Sequence, residues 1–395
     1  MNASATPSSG RRAMVASVAA NALYVLTLQI LALVTLAPAD FGAFSIQYLL
    51  FALTGSIGLS IICEPWSRSA RYEGHTSSWR DYSSMTIYLA GAAGLVTVVA
   101  SLIVPPLRPV AISGAIAVFA SSYRAGARYY EVRNVHWNRV LASDISGLLV
   151  TVAAWAALPL LEVQELEAMS IAWAAGAVVS AVVAPLPHLT GFGRVRDWNV
   201  RHRRHIGPLL RDSLLMDLGA IGTPFVIAPL LGIQSFGVYR AVSNVAAPVR
   251  LVLNPIRATL ASMPLSRQRA PTTILFVAIV SGLFGVGACV ALLLVGAIQL
   301  DLGALSGLAP FAAATGVFVA FNFLGHYYYI VARSHAVGRA LFTGRIVQTG
   351  LAVTLPVGGV LLWGLSGAIW GTAIATLCSA MTWTVLAAQR GGRVG

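Results

Sequence analysis

Long apolar runs, separated by short polar segments, follow one another along nearly the whole chain. A helix needs about 20 apolar residues to cross about 30 Å of hydrocarbon. Runs of that length predict about twelve transmembrane helices. They cover residues 13–36, 43–62, 84–104, 110–130, 141–160, 168–187, 208–230, 237–260, 272–298, 304–330, 341–362 and 367–388. We therefore expect an all-α polytopic membrane protein.

The charged residues support this prediction and orient it. Only 10% of residues are charged, against roughly 25% in soluble domains. All basic residues are arginines, and most lie in or beside the predicted connections on one side of the membrane. The opposite connections carry Asp40, Glu162, Glu165 and Asp301, with Arg108 as their cation. The positive-inside rule then predicts a multi-pass protein of the cytoplasmic (inner) membrane with both termini in the cytoplasm.

Several function classes are disfavoured by the composition. A net charge of +13 could suit nucleic acid, but no basic soluble domain is present to hold it, so we expect no nucleic-acid partner. Cys63, Cys289 and Cys378 are far apart and lack metal-ligand spacing, so no metal site is predicted. There is no phosphate-binding GxxxxGK[ST] motif and no catalytic set. The chain is therefore not expected to be an enzyme or to hold a cofactor, and coupling to a proton or sodium gradient stays open.

An internal repeat is visible in two short motifs. Leu36–Phe44 and Leu231–Tyr239 both read L-x4-F-G-x-aromatic, 195 residues apart. Gly126–His136 and Gly325–His335 share G-x-x-Y-Y-x-V-x3-H, 199 residues apart. Coincidence in a low-diversity membrane sequence is the alternative. A true repeat of six helices predicts two parallel six-helix lobes around a central cavity.

The repeat also divides the chain into predicted domains. Residues 1–190 form the N-terminal six-helix lobe, and residues 208–395 form the C-terminal six-helix lobe. Between them, residues 191–207 read as a basic cytoplasmic linker, whose simplest role is to set topology.

The eighth predicted span carries the strongest candidate for binding. At 100° per residue, its polar residues fall on one stripe: Arg240, Asn244, Arg250, Asn254 and Arg257. A cation at the bilayer centre costs about 2.5–3.5 kcal/mol, so intramembrane arginines suggest function. Guanidinium groups suit phosphate, so the stripe predicts a cavity lining that binds an anionic substrate group. Alternatively, Arg240 and Arg257 extend to opposite interfaces.

Three further residues are candidates. Arg128 has Glu131 three residues later on the same helix face and is predicted to pair with it, either as a plain ion pair or in a vestibule that attracts anions. His326 could contact sugar hydroxyls or form an interhelical hydrogen bond. Asp217 is the acidic residue placed deepest in a span, and could couple ion movement or neutralise a cavity arginine.

The turn motif resembles that of polysaccharide exporters, the lipid-linked oligosaccharide flippases of the multidrug/oligosaccharidyl-lipid/polysaccharide (MOP) exporter superfamily. Their turn reads L-G-x-x-x-F-G-x-Y; Leu231–Tyr239 fits it, and Leu36–Phe44 fits with Ala37 in place of glycine. The resemblance implies alternating-access movement of an undecaprenyl-pyrophosphate-linked oligosaccharide across the membrane for cell-surface polysaccharide biosynthesis. It also implies an arginine-lined cavity, with membrane lipids, the anionic glycan lipid and glycosyltransferases or a polymerase as partners.

Two other transporter classes remain open from the sequence. A cation-coupled multidrug or metabolite antiporter of the same superfamily would need several intramembrane carboxylates. A major-facilitator-type carrier would need a G-x3-D-R-x-G-R/K loop, which is missing from Cys63–Ser84. The flippase hypothesis predicts that Arg250→Ala abolishes glycan export without reducing expression.

Overall fold

The computed structural model describes residues 8–72, 78–191, 193–249, 252–253, 260, 263–335 and 338–388. The described helices are α1 (Ser8–Thr35), α2 (Pro38–Gly58), α3 (Glu64–Tyr72), α4 (Trp79–Ile103), α5 (Ala111–Arg133), α6 (Trp137–Ala157), α7 (Glu165–Val183), α8 (Gly193–Asp217), α9 (Thr223–Leu231), α10 (Ile233–Val245), α11 (Leu265–Gln268), α12 (Pro271–Ile298), α13 (Ala312–His335) and α14 (Gly338–Ala388). Short π-helical turns, Leu59–Cys63 and Leu218–Gly222, follow α2 and α8.

The predicted count of about twelve membrane helices is confirmed. Within the described residues, 10 continuous helical stretches are long and apolar enough to cross a membrane. One of them is α14, whose backbone leaves helical geometry at Trp363 and Gly364, so it contains two of the predicted spans. The eighth predicted span begins in α10 and continues into residues that are only partly described.

The chain folds into two compact units. The first contains residues 1–32 and 43–214, and the second contains residues 33–42 and 215–395. Both α1 and α2 therefore pass from one unit into the other. The ten residues that join them belong to the second unit, although they lie early in the sequence.

In the first unit, two buried aromatic side chains, Trp198 and His202, explain why the basic segment 191–207 is mostly helical. Residues 191–207 were predicted as a linker, but α8 already begins at Gly193. The Trp198 ring is 5% exposed, and its Nε1 donates to the Ile61 carbonyl at 2.9 Å. One turn later, buried His202 bonds to Ser69 through Nδ1 at 2.8 Å. This side of α8 packs on the protein, and the arginines occupy its exposed positions.

In the second unit, the two copies of the repeated turn motif contact each other. A Cβ on Gly42 would overlap the Ile233 carbonyl oxygen, and a Cβ on Gly237 would overlap the Pro38 carbonyl oxygen. Pro38 and Ile233 are themselves 195 residues apart, as are the two glycines. The contact is therefore reciprocal, which is the behaviour expected of equivalent surfaces. The F-G glycines let two backbones meet without an intervening side chain.

A third backbone segment closes this turn. The Leu36 carbonyl accepts a hydrogen bond from Ala304 N–H at 2.8 Å. Gly303 has φ of +54°, and a Cβ there would lie 3.1 Å from the Leu36 nitrogen. The connection between α1 and α2 is therefore held by backbone contacts from two segments of the second unit. One segment contains Ile233 and Gly237, and the other contains Gly303 and Ala304.

The described part of the eighth predicted span contains a helix end. Helix α10 ends at Val245, and Ala246 N–H bonds to the Asn244 carbonyl. Pro248 has no N–H to continue the helical ladder. The remaining residues of the predicted stripe, Arg250, Asn254 and Arg257, lie outside the described residues, so the stripe stays a prediction.

Candidate functional site

A buried cluster of three charged side chains lies in the first unit. Arg124 and Arg128 are one helical turn apart on α5, so both face Asp144 on α6. Arg124 Nη1 donates to Asp144 Oδ1, and Arg128 Nε donates to Asp144 Oδ2, each at 3.1 Å. The Asp144 side chain is 1% exposed, and the Arg124 side chain is 9% exposed. Both oxygens of this carboxylate are engaged by guanidiniums.

Helix α1 supplies the remaining contacts of the cluster. Arg124 Nη2 donates to Asn21 Oδ1 at 3.1 Å, and its guanidinium lies over the Tyr24 ring, 4.6 Å from the centroid. Arg128 Nη2 reaches the Ser17 carbonyl at 3.4 Å. Such cation–π and charge-assisted contacts fix the arginine side chains in position.

The cluster keeps an excess of positive charge. Two guanidiniums share one carboxylate, so the group carries a formal charge of +1 within the helices that are apolar enough to span the membrane. Each charged side chain at membrane depth is costly, and such groups normally pair or serve a function. An approaching anion would be attracted to this cluster, and a cation would be repelled.

Arg124 also lines a small crevice with aromatic walls. The crevice holds about 30 Å³, which is space for about two water-sized groups. It is lined by Tyr24, Val25, Leu28, Tyr48, Phe51, Ser121, Arg124 and Trp173. The Trp173 ring stands edge-on to Phe51 at 6.0 Å, and its Nε1 donates to Ser121 Oγ at 2.9 Å. The crevice can accept a small polar group beside the guanidinium, between aromatic walls.

The predicted pairing of Arg128 with Glu131 is wrong. Glu131 instead pairs with His136 Nδ1 at 3.2 Å and Arg139 Nη1 at 3.5 Å. The chain turns sharply after α5, where Val135 has φ of +65°, and this turn brings both partners to Glu131. Arg128 therefore pairs with the Asp144 carboxylate on the neighbouring helix α6.

Similarity to solved structures gives the fold. No protein-family model matches the chain, and no curated protein matches it in sequence. An inward-facing multidrug resistance MATE family transporter of the MOP superfamily superposes with a TM-score of 0.65 at 12% identity, covering 93% of this chain and 94% of that one. The lipid II flippase MurJ, in an inward closed conformation, gives a TM-score of 0.60 at 11% identity, covering 96% and 87%. A MATE transporter from Vibrio cholerae gives 0.56 at 12% identity, covering 96% and 93%.

The fold is the one shared by these MATE transporters and by MurJ. These neighbours include multidrug transporters and a flippase, so the fold alone does not separate the two functions. The prediction of a two-lobe membrane protein with about twelve helices agrees with this fold.

The sequence-predicted residues of the second unit are only partly described. Arg250, Asn254 and Arg257 lie outside the described residues. Arg240 and Asn244 lie one turn apart on α10, and both are partly buried. These two therefore share a helix face as predicted, and their part in binding stays a prediction.

His326 and Asp217 occupy separate places in the second unit. His326 lies on α13, with its ring 6.4 Å from that of Tyr329. Asp217 is 5% exposed and ends α8, directly before the π-helical turn Leu218–Gly222. Irregular turns of this kind often accompany functional sites. The roles predicted for these two residues stay predictions.

Sequence reasoning missed most residues around the crevice. Asn21 and Tyr24 sit in the mainly apolar first span, where a polar side chain such as Asn21 is expected to have a partner. Trp173 was not singled out, because a tryptophan in an apolar span is usually packing. The helical spacing of Arg124 and Arg128, with Asp144 on the next span, is the signal that could have found the cluster.

Proposed function

We propose that this protein is an alternating-access flippase that moves an anionic lipid-linked oligosaccharide, carried on undecaprenyl pyrophosphate, across the cytoplasmic membrane for cell-surface polysaccharide biosynthesis. The observation that carries the proposal is the buried, net-positive cluster of Arg124, Arg128 and Asp144 beside an aromatic crevice. Guanidinium forks match phosphate oxygens, and aromatic rings offer surfaces for sugar rings.

The state of Asp144 argues for an anionic cargo. A cation-coupled carrier needs a carboxylate that can release its partners and take up a proton or a metal ion. Both Asp144 oxygens are held by guanidiniums, and the side chain is almost fully buried. Removing the negative charge would leave two guanidiniums facing each other, which is strongly unfavourable at membrane depth. The acid therefore positions the arginines and does not serve as the coupling group.

The second unit would contribute further positive charge. Arg240 and Asn244 share a face of α10, and the proposal assigns them, with the predicted residues Arg250, Asn254 and Arg257, to substrate phosphate and sugar groups. Asp217 remains the candidate for coupling to a proton or sodium gradient. In the cell, glycosyltransferases and a polymerase would supply and consume the glycan lipid.

The direct test is a leaflet-translocation assay. The purified protein in proteoliposomes is given a fluorescent undecaprenyl-pyrophosphate disaccharide, and access from the outside is followed with a membrane-impermeant quencher. We expect flipping by the wild type and at least a tenfold slower rate for Arg128→Gln, which loses a charge-assisted contact to phosphate. Arg133→Gln, an exposed arginine on the same helix that bonds to Ser67 Oγ, is the matched control and should flip normally. Equal rates in both variants would remove the cluster from the mechanism.

A cation-coupled multidrug or metabolite antiporter is the second candidate, because multidrug MATE transporters share the fold as closely as MurJ does. The same proteoliposomes distinguish it. An antiporter would expel a cationic dye such as ethidium when a proton or sodium gradient is imposed, and would leave the glycan lipid in its original leaflet.

A further inference from the structure

A second cluster of arginines lies in the second unit, at one end of the hairpin formed by α13 and α14. Arg345 Nη2 donates to Tyr329 Oη at 2.7 Å, and Arg333 Nη1 donates to the same oxygen at 3.0 Å. Two guanidiniums therefore converge on one hydroxyl oxygen. The first unit places a carboxylate between its two arginines, whereas this cluster has a hydroxyl in that position.

The Arg345 guanidinium is held in a defined orientation. Its Nη1 donates to Gln348 Oε1 at 3.1 Å, and the same amide oxygen accepts from Trp383 Nε1 at 3.3 Å. Its central carbon lies 4.8 Å from the Tyr329 ring centroid and 6.0 Å from that of Trp383. The two rings themselves stand edge-to-face at 4.9 Å. An arginine fixed by rings on one side and by an amide on another is preorganised to bind a ligand.

Among the described residues, no carboxylate neutralises the charge of this cluster. In the part of the chain that the structure describes, the ion pairs involve neither Arg333 nor Arg345. A guanidinium has five N–H donors, and two donors of Arg345 are used by the contacts above. The cluster therefore presents two positive charges and unused donors in a fixed fork.

We propose that Arg333, Arg345 and Tyr329 form a phosphate-binding site at this end of the α13–α14 hairpin. A phosphate has several oxygens that can accept from both guanidiniums together, which relieves their mutual repulsion. Tyrosine and tryptophan rings favour the membrane–water interface, where phospholipid headgroups lie. The phosphate can belong to an anionic phospholipid or to a soluble phosphate compound. The proposal uses none of the residues assigned to the flippase function and does not depend on it.

Arg339 provides a matched control. It is an exposed arginine on α14, near Arg345, and the described contact at this residue uses its backbone carbonyl. If the arginines at this end only set topology or attract lipid by charge, Arg339 and Arg345 should be interchangeable. If a specific phosphate site exists, binding should depend on Arg345 and not on Arg339.

The experiment measures phosphate binding by the full chain with two probes. Native mass spectrometry counts phosphatidylglycerol retained against phosphatidylcholine, and calorimetry in detergent measures inorganic pyrophosphate. We expect Arg345→Gln to weaken binding about tenfold, and Arg339→Gln to leave it unchanged. Arg345→Lys, which keeps the charge and loses the fork, should also bind several-fold more weakly.

The two probes separate the two phosphate sources. Loss confined to phosphatidylglycerol assigns the site to a membrane lipid, and loss confined to pyrophosphate assigns it to a soluble compound. Equal effects of the Arg339 and Arg345 variants, or full binding by Arg345→Lys, would overturn the site. Thermal melting of each variant in detergent verifies that it is folded.

Discussion

The reciprocal contact of the two F-G turns makes a quantitative prediction for Gly237→Ala. The new Cβ would lie 1.7 Å from the Pro38 carbonyl oxygen and 2.7 Å from the Pro38 carbonyl carbon. A carbon and a carbonyl oxygen in close contact are normally at least about 3.3 Å apart, so the two backbones must separate by about 1.6 Å. Overpacking of this kind typically costs about 1–3 kcal/mol. The atoms that must move are backbone on both sides, which places the cost near the upper end, about 3 kcal/mol.

A helix-interior alanine would otherwise be favourable. Replacing glycine by alanine in an exposed helix stabilises by up to about 1 kcal/mol. Gly282→Ala in α12 meets nothing within 4 Å and is the matched control in the same unit. We expect the melting temperature of Gly237→Ala to be lower than that of the wild type by roughly 5–10 °C. It is measured in detergent, with size-exclusion chromatography as the readout. The control should melt at or slightly above the wild-type temperature.

The reciprocity gives a sharper test of the same reasoning. Gly42→Ala disturbs the same contact from the other side, so the double variant should lose less than the sum of the two single losses. The reasoning would be refuted if Gly237→Ala melted like its control, or if the two substitutions were strictly additive. Either result would mean that the two turns do not meet.

Two predictions concern the first unit. Asp144→Asn should destabilise the protein by about 3–5 kcal/mol, because two guanidiniums lose their shared counter-charge; adding Arg128→Gln should recover at least about 1 kcal/mol of this in a double-mutant cycle measured by denaturant titration. Gly176→Ala should cost about 2–3 kcal/mol and lower the melting temperature, because its Cβ would overlap Thr151 Oγ1 and lie 2.6 Å from the Gly147 carbonyl oxygen.

Controls for both are available in the same unit. Gly91→Ala on α4 has open space around the added methyl group and should not lower the melting temperature. Asp81→Asn removes a carboxylate that is salt-bridged to Arg194 at a more exposed position, where an ion pair contributes at most about 1 kcal/mol. If Asp144→Asn were no more harmful than Asp81→Asn, the buried cluster would have no structural role.

The helices were predictable because hydropathy reports directly on membrane depth. The predicted spans match α1, α4, α5 and α12 to within a few residues. The break of the eighth span was harder to place. A proline permits a helix to end without requiring it, and here α10 ends at Val245, before Pro248.

The candidate site was predictable only in part, for a physical reason. Helical spacing shows that Arg124 and Arg128 share a face, but it does not show which neighbouring helix that face meets. The prediction therefore paired Arg128 with Glu131, its neighbour in sequence, whereas tertiary packing supplied Asp144. The crevice likewise depends on rings from three helices, and no local pattern connects Tyr24 with Trp173.

Because residues 33–42 complete the second unit, the gene cannot be divided cleanly at its midpoint. A fragment starting near residue 208 would carry Gly237 and Gly303 without the segment that covers them. In such a fragment, the backbone around these two glycines would be uncovered. A second identical fragment could cover it with its own F-G turn.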